Sequence, residues 1–460
     1  MFKYLCFFVL LAPGQLVAQN SLLDKYIHEG LDKNLALQQQ NLALDKSLST
    51  LREARGLFLP SLNLEARYSR AGGGRLIEFP VGDIVNPVYS TLNELLVSAG
   101  QQPLFPTNLQ NEVIPFLREE EQEARLRLVQ PVFQPRVLHN YRLQKSRHRA
   151  EIAKREVFRR QLVLEIKQAY YQHLSTRQLQ ELLIKTRSLL EENLRVSISL
   201  FENQKATQDV VFRAKAEISD IEQKLTEAGN GVRQTGRYLN FLINRPLDAE
   251  IDVDTEEDLQ PQAVLEMADL IQKAKSQRAE YDQLHSGIGT AKHAASLAGS
   301  ASLPSISFVL DYGMQGEDYN INKDSDFWMA TIALQWNLFN GFQDRERKQQ
   351  ANLQRQALQV QLDEFDRLVR MQVLEAHDKL QAARKTIEAA NDRVVSAQQS
   401  FRIVARKYAE GLAPQIEYLD ARTTLTNAES NAIVAKYNFQ IQYSELERVA
   451  ALYPLPDSSN

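Results

Sequence analysis

The chain has 460 residues, 54 Lys and Arg against 58 Asp and Glu, and a formal net charge of -4. That balance gives no basic footprint for nucleic acid, and 43% hydrophobic residues exclude a disordered chain. The one cysteine, Cys6, excludes a disulfide framework.

The first residues read as an address. Lys3 is the only charge before an apolar run from Tyr4 to Ala12, and Leu16-Val17-Ala18 supplies a small-residue cleavage site, so residues 1–18 are predicted to be a secretory signal. The run is shorter than the roughly 20 residues of a membrane helix. Cys6 lies inside this signal and no cysteine stands at the cleavage site, so no lipid attachment is expected. No later segment offers 18 uninterrupted apolar residues. An exported chain of this kind is either soluble beyond the inner membrane or crosses a membrane as a β-barrel.

Asp24 to Leu57 is predicted to be helical. Ser61 to Tyr68 then alternates, with Leu62, Leu64, Ala66 and Tyr68 on one face. A long loop, Ala71 to Glu123, carries three consecutive glycines and several prolines. Ala124 to Phe133 is a second, less clean strand, and Arg136 to Leu200 is a long helix free of Pro and Gly. Val210 to Leu242 returns as a half-length helix. An acidic stretch, Asp248 to Gln262, with Pro246 and Pro261 near its ends, reads as a linker.

The same order then recurs: a helix over Val264 to Leu297, strands over Ser305 to Tyr312 and Trp328 to Leu338, and a long helix after Asn340-Gly341. That helix carries a seam of apolar residues stepped by three and four, from Leu358 to Tyr408, with Val369, Val373 and Ala376 filling in less regularly. Ile416 to Leu452 is the last half-length helix. Leu59-Pro60-Ser61-Leu62 returns as Leu303-Pro304-Ser305-Ile306, and Phe201, Gln204 and Ala214 are echoed by Tyr408, Gly411 and Ala421. A duplication follows: 19–247 as first repeat, 248–262 as linker, 263–460 as second repeat. The first hairpin loop exceeds the second, Gly313 to Phe327, by about 38 residues.

Each repeat thus offers one long helix and two half-length ones, which suits a wall of paired helices. The four alternating segments approach the length of tilted membrane strands, with one apolar and one polar face. Four strands cannot close a barrel, and open edges are not tolerated in lipid. Several chains must share one barrel, and three copies, with about twelve strands, leave room for a pore.

This order resembles the TolC-like outer membrane efflux family over essentially the whole chain after the signal. The most specific stretch is Tyr408-Ala409-Glu410-Gly411-Leu412-Ala413-Pro414-Gln415-Ile416-Glu417-Tyr418-Leu419-Asp420-Ala421-Arg422, which is similar to the family's periplasmic tip. Asn34-Leu35, the Leu-Pro-Ser strand starts and Asn340-Gly341 also fit. The resemblance implies a mainly α fold with a small β part: duplicated helix-hairpin repeats forming a trimeric α-barrel continuous with a 12-stranded transmembrane β-barrel, four strands per chain. It implies an outer-membrane exit duct that extends into the periplasm, a homotrimer in outer-membrane lipid. The partners would be a periplasmic adaptor and an inner-membrane efflux pump or ABC transporter, in a tripartite efflux or type I secretion system.

At the second tip, Gly411 permits a turn that a β-carbon hinders, and Pro414 suits a first helical turn. Gly411, Leu412 and Pro414, with Lys205 and Thr207 of the first tip, are the expected adaptor-docking residues. Glu417 and Asp420, three apart, share a helix face. Read as a gate they make rings of three carboxylates that favour cations; read as surface they are an acidic pair at a helix N-terminus. Tyr408 is either a gate residue or an ordinary seam residue. The first tip departs from the pattern, with Gln204 in glycine's place and Arg213 in the second acidic place.

No enzyme reading finds support. There is no Gly-rich phosphate loop, GxSxG elbow or HExxH pair, no cofactor or metal is expected, and His139 and His148 look solvated. A periplasmic adaptor or a coiled-coil structural protein would also be exported and helical. However, an adaptor has one hairpin flanked by many strands, and a scaffold leaves the four strands without purpose.

Overall fold

The computed structural model describes residues 22–253, 266–318 and 325–456. The signal and residues 254–262 of the acidic stretch lie outside them. The chain divides into two compact units: one of residues 1–50, 144–292 and 352–460, the other of residues 51–143 and 293–351.

The first unit is helical. It is built from α1 (Leu22–Lys33), α2 (Leu35–Gly56), α4 (Pro135–Glu202), α5 (Gln208–Leu242), α6 (Met267–Gln277), α7 (Ala279–Gly299), α8 (Gln343–Ala409) and α9 (Gln415–Val449), some of which run on into the second unit. At 68 and 67 residues, α4 and α8 are each about 100 Å long. The seam of α8 is more regular than its sequence suggests. Val369, Val373 and Ala376, which looked like filler, are buried in it, and the row continues through Leu380, Ala383, Ala390 and Ala397.

Two expected helices are broken in two. Asn34 interrupts the first: its side-chain oxygen accepts the Leu37 N–H at 2.9 Å, capping α2, and its amide donates to the Leu242 carbonyl at 2.8 Å. Arg278 interrupts the other, with extended backbone. Its buried guanidinium donates to Gln372 and to Glu280, each at 2.8 Å, and lies over Phe365. The cores follow these joints. Tyr26 and Ile27 of α1 pack with Ile166, Tyr170 and Leu174 of α4 and Leu239 of α5; Leu270 of α6 packs with Val369, Val373 and Leu380 of α8 and Leu446 of α9. Each such fully buried side chain contributes about 1.5–3 kcal/mol. Residues 248–253 are less detached than a linker, since Ile251 joins the first of these cores.

The second unit contains β1 (Ser61–Arg70), β4 (Glu120–Phe133), β5 (Ser305–Gly316) and β6 (Asp326–Gln335), an antiparallel sheet in that spatial order. The register aligns Leu64, Leu126, Tyr312 and Trp328, and likewise Leu62, Leu128, Leu310 and Ala330, so the apolar residues share one face. That face is open: Trp328 is 73% exposed and Ile332 77%. The opposite face carries ions. Arg127 makes a two-point pair with buried Asp311, at 2.8 and 3.0 Å, and Arg125 contacts Glu65 at 2.7 Å and Glu123 at 2.8 Å. Among the described residues the outer strands β1 and β6 each pair on one side only. Trp336 and Leu338 fall beyond the end of β6, where the Trp336 ring N–H donates to the Ser302 carbonyl.

The expected long loop is instead a folded insertion. It holds the hairpin β2 (Leu76–Phe79) and β3 (Glu112–Pro115) and the helix α3 (Val81–Ser98). Asn86 and Asn93, seven apart on one face of α3, each bond the returning chain twice or more: Asn86 exchanges hydrogen bonds with Leu109, and Asn93 bonds Leu104 and Phe105. Gly82 lets that chain approach, because a β-carbon there would stand 2.2 Å from the Leu109 carbonyl oxygen.

Candidate functional site: the paired helical tips

The helices α4 and α5 meet at one tip, α8 and α9 at another. At the second, Gly411 takes φ 73°, its N–H donates to the Tyr408 carbonyl, and the Leu412 N–H reaches back to the Lys407 carbonyl at 2.8 Å. This is a Schellman turn, and glycine is the residue it favours. The first tip makes the same turn without glycine: Gln204 takes φ 61°, and the Lys205 N–H donates to the Leu200 carbonyl at 2.8 Å. The next helices start alike, from Thr207 and Pro414, both extended. At the far ends of α5 and α9, Asn244 and Ala451 repeat the turn at φ 55° and 52°. Both pairs stand 207 residues apart (411 less 204, 451 less 244).

The side chains at the two tips differ. Glu417 and Asp420 are exposed on the same face of α9, and neither joins an ion pair among the described residues. Their counterparts at the same offset are Val210 and Arg213, and Arg213 lies 3.6 Å from Asp209. Thr207 donates to Asp209 as well. Leu412, Pro414, Lys205 and Thr207 are all exposed, so each tip presents its turn to solvent.

Tyr408 is half-buried and packs within its own chain. Its ring stacks on Tyr418 at 4.9 Å, and Tyr418 touches Phe401 in turn. Burial pushes the Tyr418 hydroxyl above its usual pKa. Arg422 covers Phe401 and donates to Thr186 on α4 at 3.0 Å. Gln415 is buried and donates to Ser197 at 2.9 Å and Asn193 at 3.2 Å, also on α4. These contacts join the two hairpins, and the sequence reading missed them. Their signal lay in the steps of four, three and four along Thr186, Leu190, Asn193 and Ser197, which are all buried.

Among the described residues no group of His, Cys, Asp and Glu is arranged for a metal. His139 and His148, expected to be solvated, are half-buried, and His148 bonds Ser47 at 2.8 Å. Burial presses His173 down to a pKa of about 4, with its ring against the Thr235 hydroxyl. No described helix is long and apolar enough to cross a membrane.

The chain superposes on a membrane protein from Pseudomonas aeruginosa with a TM-score of 0.76, at 18% identity and 93% coverage of both chains. It also superposes on the Campylobacter jejuni CmeC outer membrane channel with a TM-score of 0.74, at 15% identity, covering 93% of this chain and 85% of that one. Residues 270–451, about two-fifths of the chain, match the model of the family described as outer membrane efflux protein. It is 25% identical over 259 residues to outer membrane protein TolC of Escherichia coli (strain K12), across 54% of this chain. It spans about half the length of the curated relatives it matches.

Proposed function

We propose that three copies of this chain form one passive export duct, with a shared 12-stranded β-barrel in the outer membrane and a helical barrel in the periplasm. The chain would be a duplicated repeat within that wall. The observation that carries the reading is the open sheet. A four-stranded sheet with a lipid-like outer face and two unpaired edges has no stable place in a bilayer unless further strands meet those edges. Its ionic face, from Glu65 through Arg125 and Arg127 to Asp311, then lines the water-filled side. The TolC-like relationship supports the same placement and a partnership with a periplasmic adaptor and an inner-membrane pump, which supplies the energy.

The periplasmic tips are the gate and docking end in this reading. Glu417 and Asp420 supply rings of three carboxylates at the constriction, and such rings favour cations. The shaped turns at Gly411 and Gln204 are the docking knobs. Single-channel conductance of the purified oligomer in a planar bilayer tests this. A small cation-selective conductance is expected, with selectivity lost in the Glu417→Ala/Asp420→Ala variant. A pore indifferent to both substitutions moves the constriction elsewhere, and a protein that neither conducts nor requires detergent removes the duct.

A further inference from the structure

The insertion between β1 and β4 carries a surface that the duct reading does not use. Helix α3 has two opposed faces. Gly82, Asn86, Tyr89 and Asn93 hold the returning chain, with Tyr89 against Phe105 at 5.1 Å. On the other side Ile84, Val88 and Leu95 fall at steps of four and seven, one stripe, and are 64%, 54% and 61% exposed. An amphipathic helix clamped on its polar side, with its apolar side in water, is built for a partner.

The chemistry selects that partner. Asp83 and Glu94 are the only charges on α3, and residues 71–119 carry five acids against Arg75 and Arg118. A helix that lies on an anionic lipid surface carries basic residues on its polar face, and this one has none. Topology supplies the alternative. The strand β1 follows α2 and β4 leads into α4, so the insertion joins the opposite ends of these two strands, at Arg70 and Glu120. It is rooted on β1, an unpaired edge. Any second copy that pairs with that edge brings its own α3 to the same rim.

From this the geometry points to a homotypic contact: the α3 stripes of neighbouring copies pack on one another over the outer mouth of the duct and narrow it. The inference rests on the oligomeric duct proposed above. Cys6 lies in the predicted signal, so an introduced thiol stands alone in the exported chain. Leu95→Cys in the full-length protein, oxidised in outer-membrane fractions, is expected to give disulfide-linked dimers. Ser90→Cys, exposed on the same helix away from the stripe, is expected to give none. The Ile84→Ser/Val88→Ser/Leu95→Ser variant is expected to raise single-channel conductance. A conducting oligomer with no Leu95→Cys dimers and unchanged conductance in the triple variant overturns this inference and leaves the duct standing. Quenching of a Leu95→Trp side chain by brominated lipid also overturns it, by placing the stripe in the bilayer. Absence of any oligomer takes down both readings.

Discussion

Gln204 holds a backbone conformation that glycine holds at the matching tip. A side chain in the left-handed region costs about 1–2 kcal/mol. Gln204→Gly is therefore expected to stabilise the end of α4 by about 1 kcal/mol, less glycine's own entropy in the unfolded chain. Hydrogen exchange of the amides just before the turn reads this directly: slower exchange in Gln204→Gly, faster in Gly411→Ala. The turn at Gly411 was legible in the sequence because glycine announces it. The equal turn at Gln204 was not, because glutamine has no preference for that conformation and only the neighbouring hydrogen bonds impose it. The inter-hairpin contacts of Gln415 and Arg422 were hidden for a related reason: polar residues at seam positions look solvated until their partners on α4 are known.

At the scale of elements, patterning set by period was read well and joints made by single side chains were not. The four strands were legible from their alternation, and the long helices from their freedom from Pro and Gly. The regular seam of α8 was only partly visible. That of α4 was blurred because Lys167, His173, Thr186, Asn193 and Ser197 are buried along it. The breaks at Asn34 and Arg278 depend on contacts distant in sequence. The buried histidine gives a pH test. Its pKa is about 4 folded and 6.5 unfolded, so the unfolded chain binds the extra proton between them. Neutral His173 therefore supports the fold fully above pH 6.5, and roughly 3 kcal/mol is lost as pH falls toward 4. Urea midpoints at pH 7 and pH 4.5 should differ accordingly, and less so in His173→Gln. In the sheet, Asp311→Ala removes the two-point partner of Arg127 and leaves it the longer contact with Glu65, at 3.3 Å. A smaller yield of assembled oligomer is expected, with partial recovery in Asp311→Glu.

Over the whole chain, the turns at the two tips stand at the same offset as those at the far ends of α5 and α9, and both helices are 35 residues long. The largest departure is the insertion. Its length was plain in the sequence, whereas its order was not, since Asn86 and Asn93 read as loop formers until the returning chain is laid beside them. Removing residues 71–119 is expected to leave assembly intact and to widen the outer mouth, measured as a higher conductance in the same bilayer assay.

The two tips share one backbone turn but carry different charges: Glu417 and Asp420 at one, Val210 and Arg213 at the other. In the proposed ring of three chains this has a consequence for stoichiometry. A partner that grips the shape of the turn meets six equivalent positions, whereas one that senses the carboxylates meets three. Counting bound adaptors per ring, by mass, therefore distinguishes recognition by form from recognition by charge. Arg213→Asp, which adds an acid to the first tip, should move a charge-reading partner from three toward six.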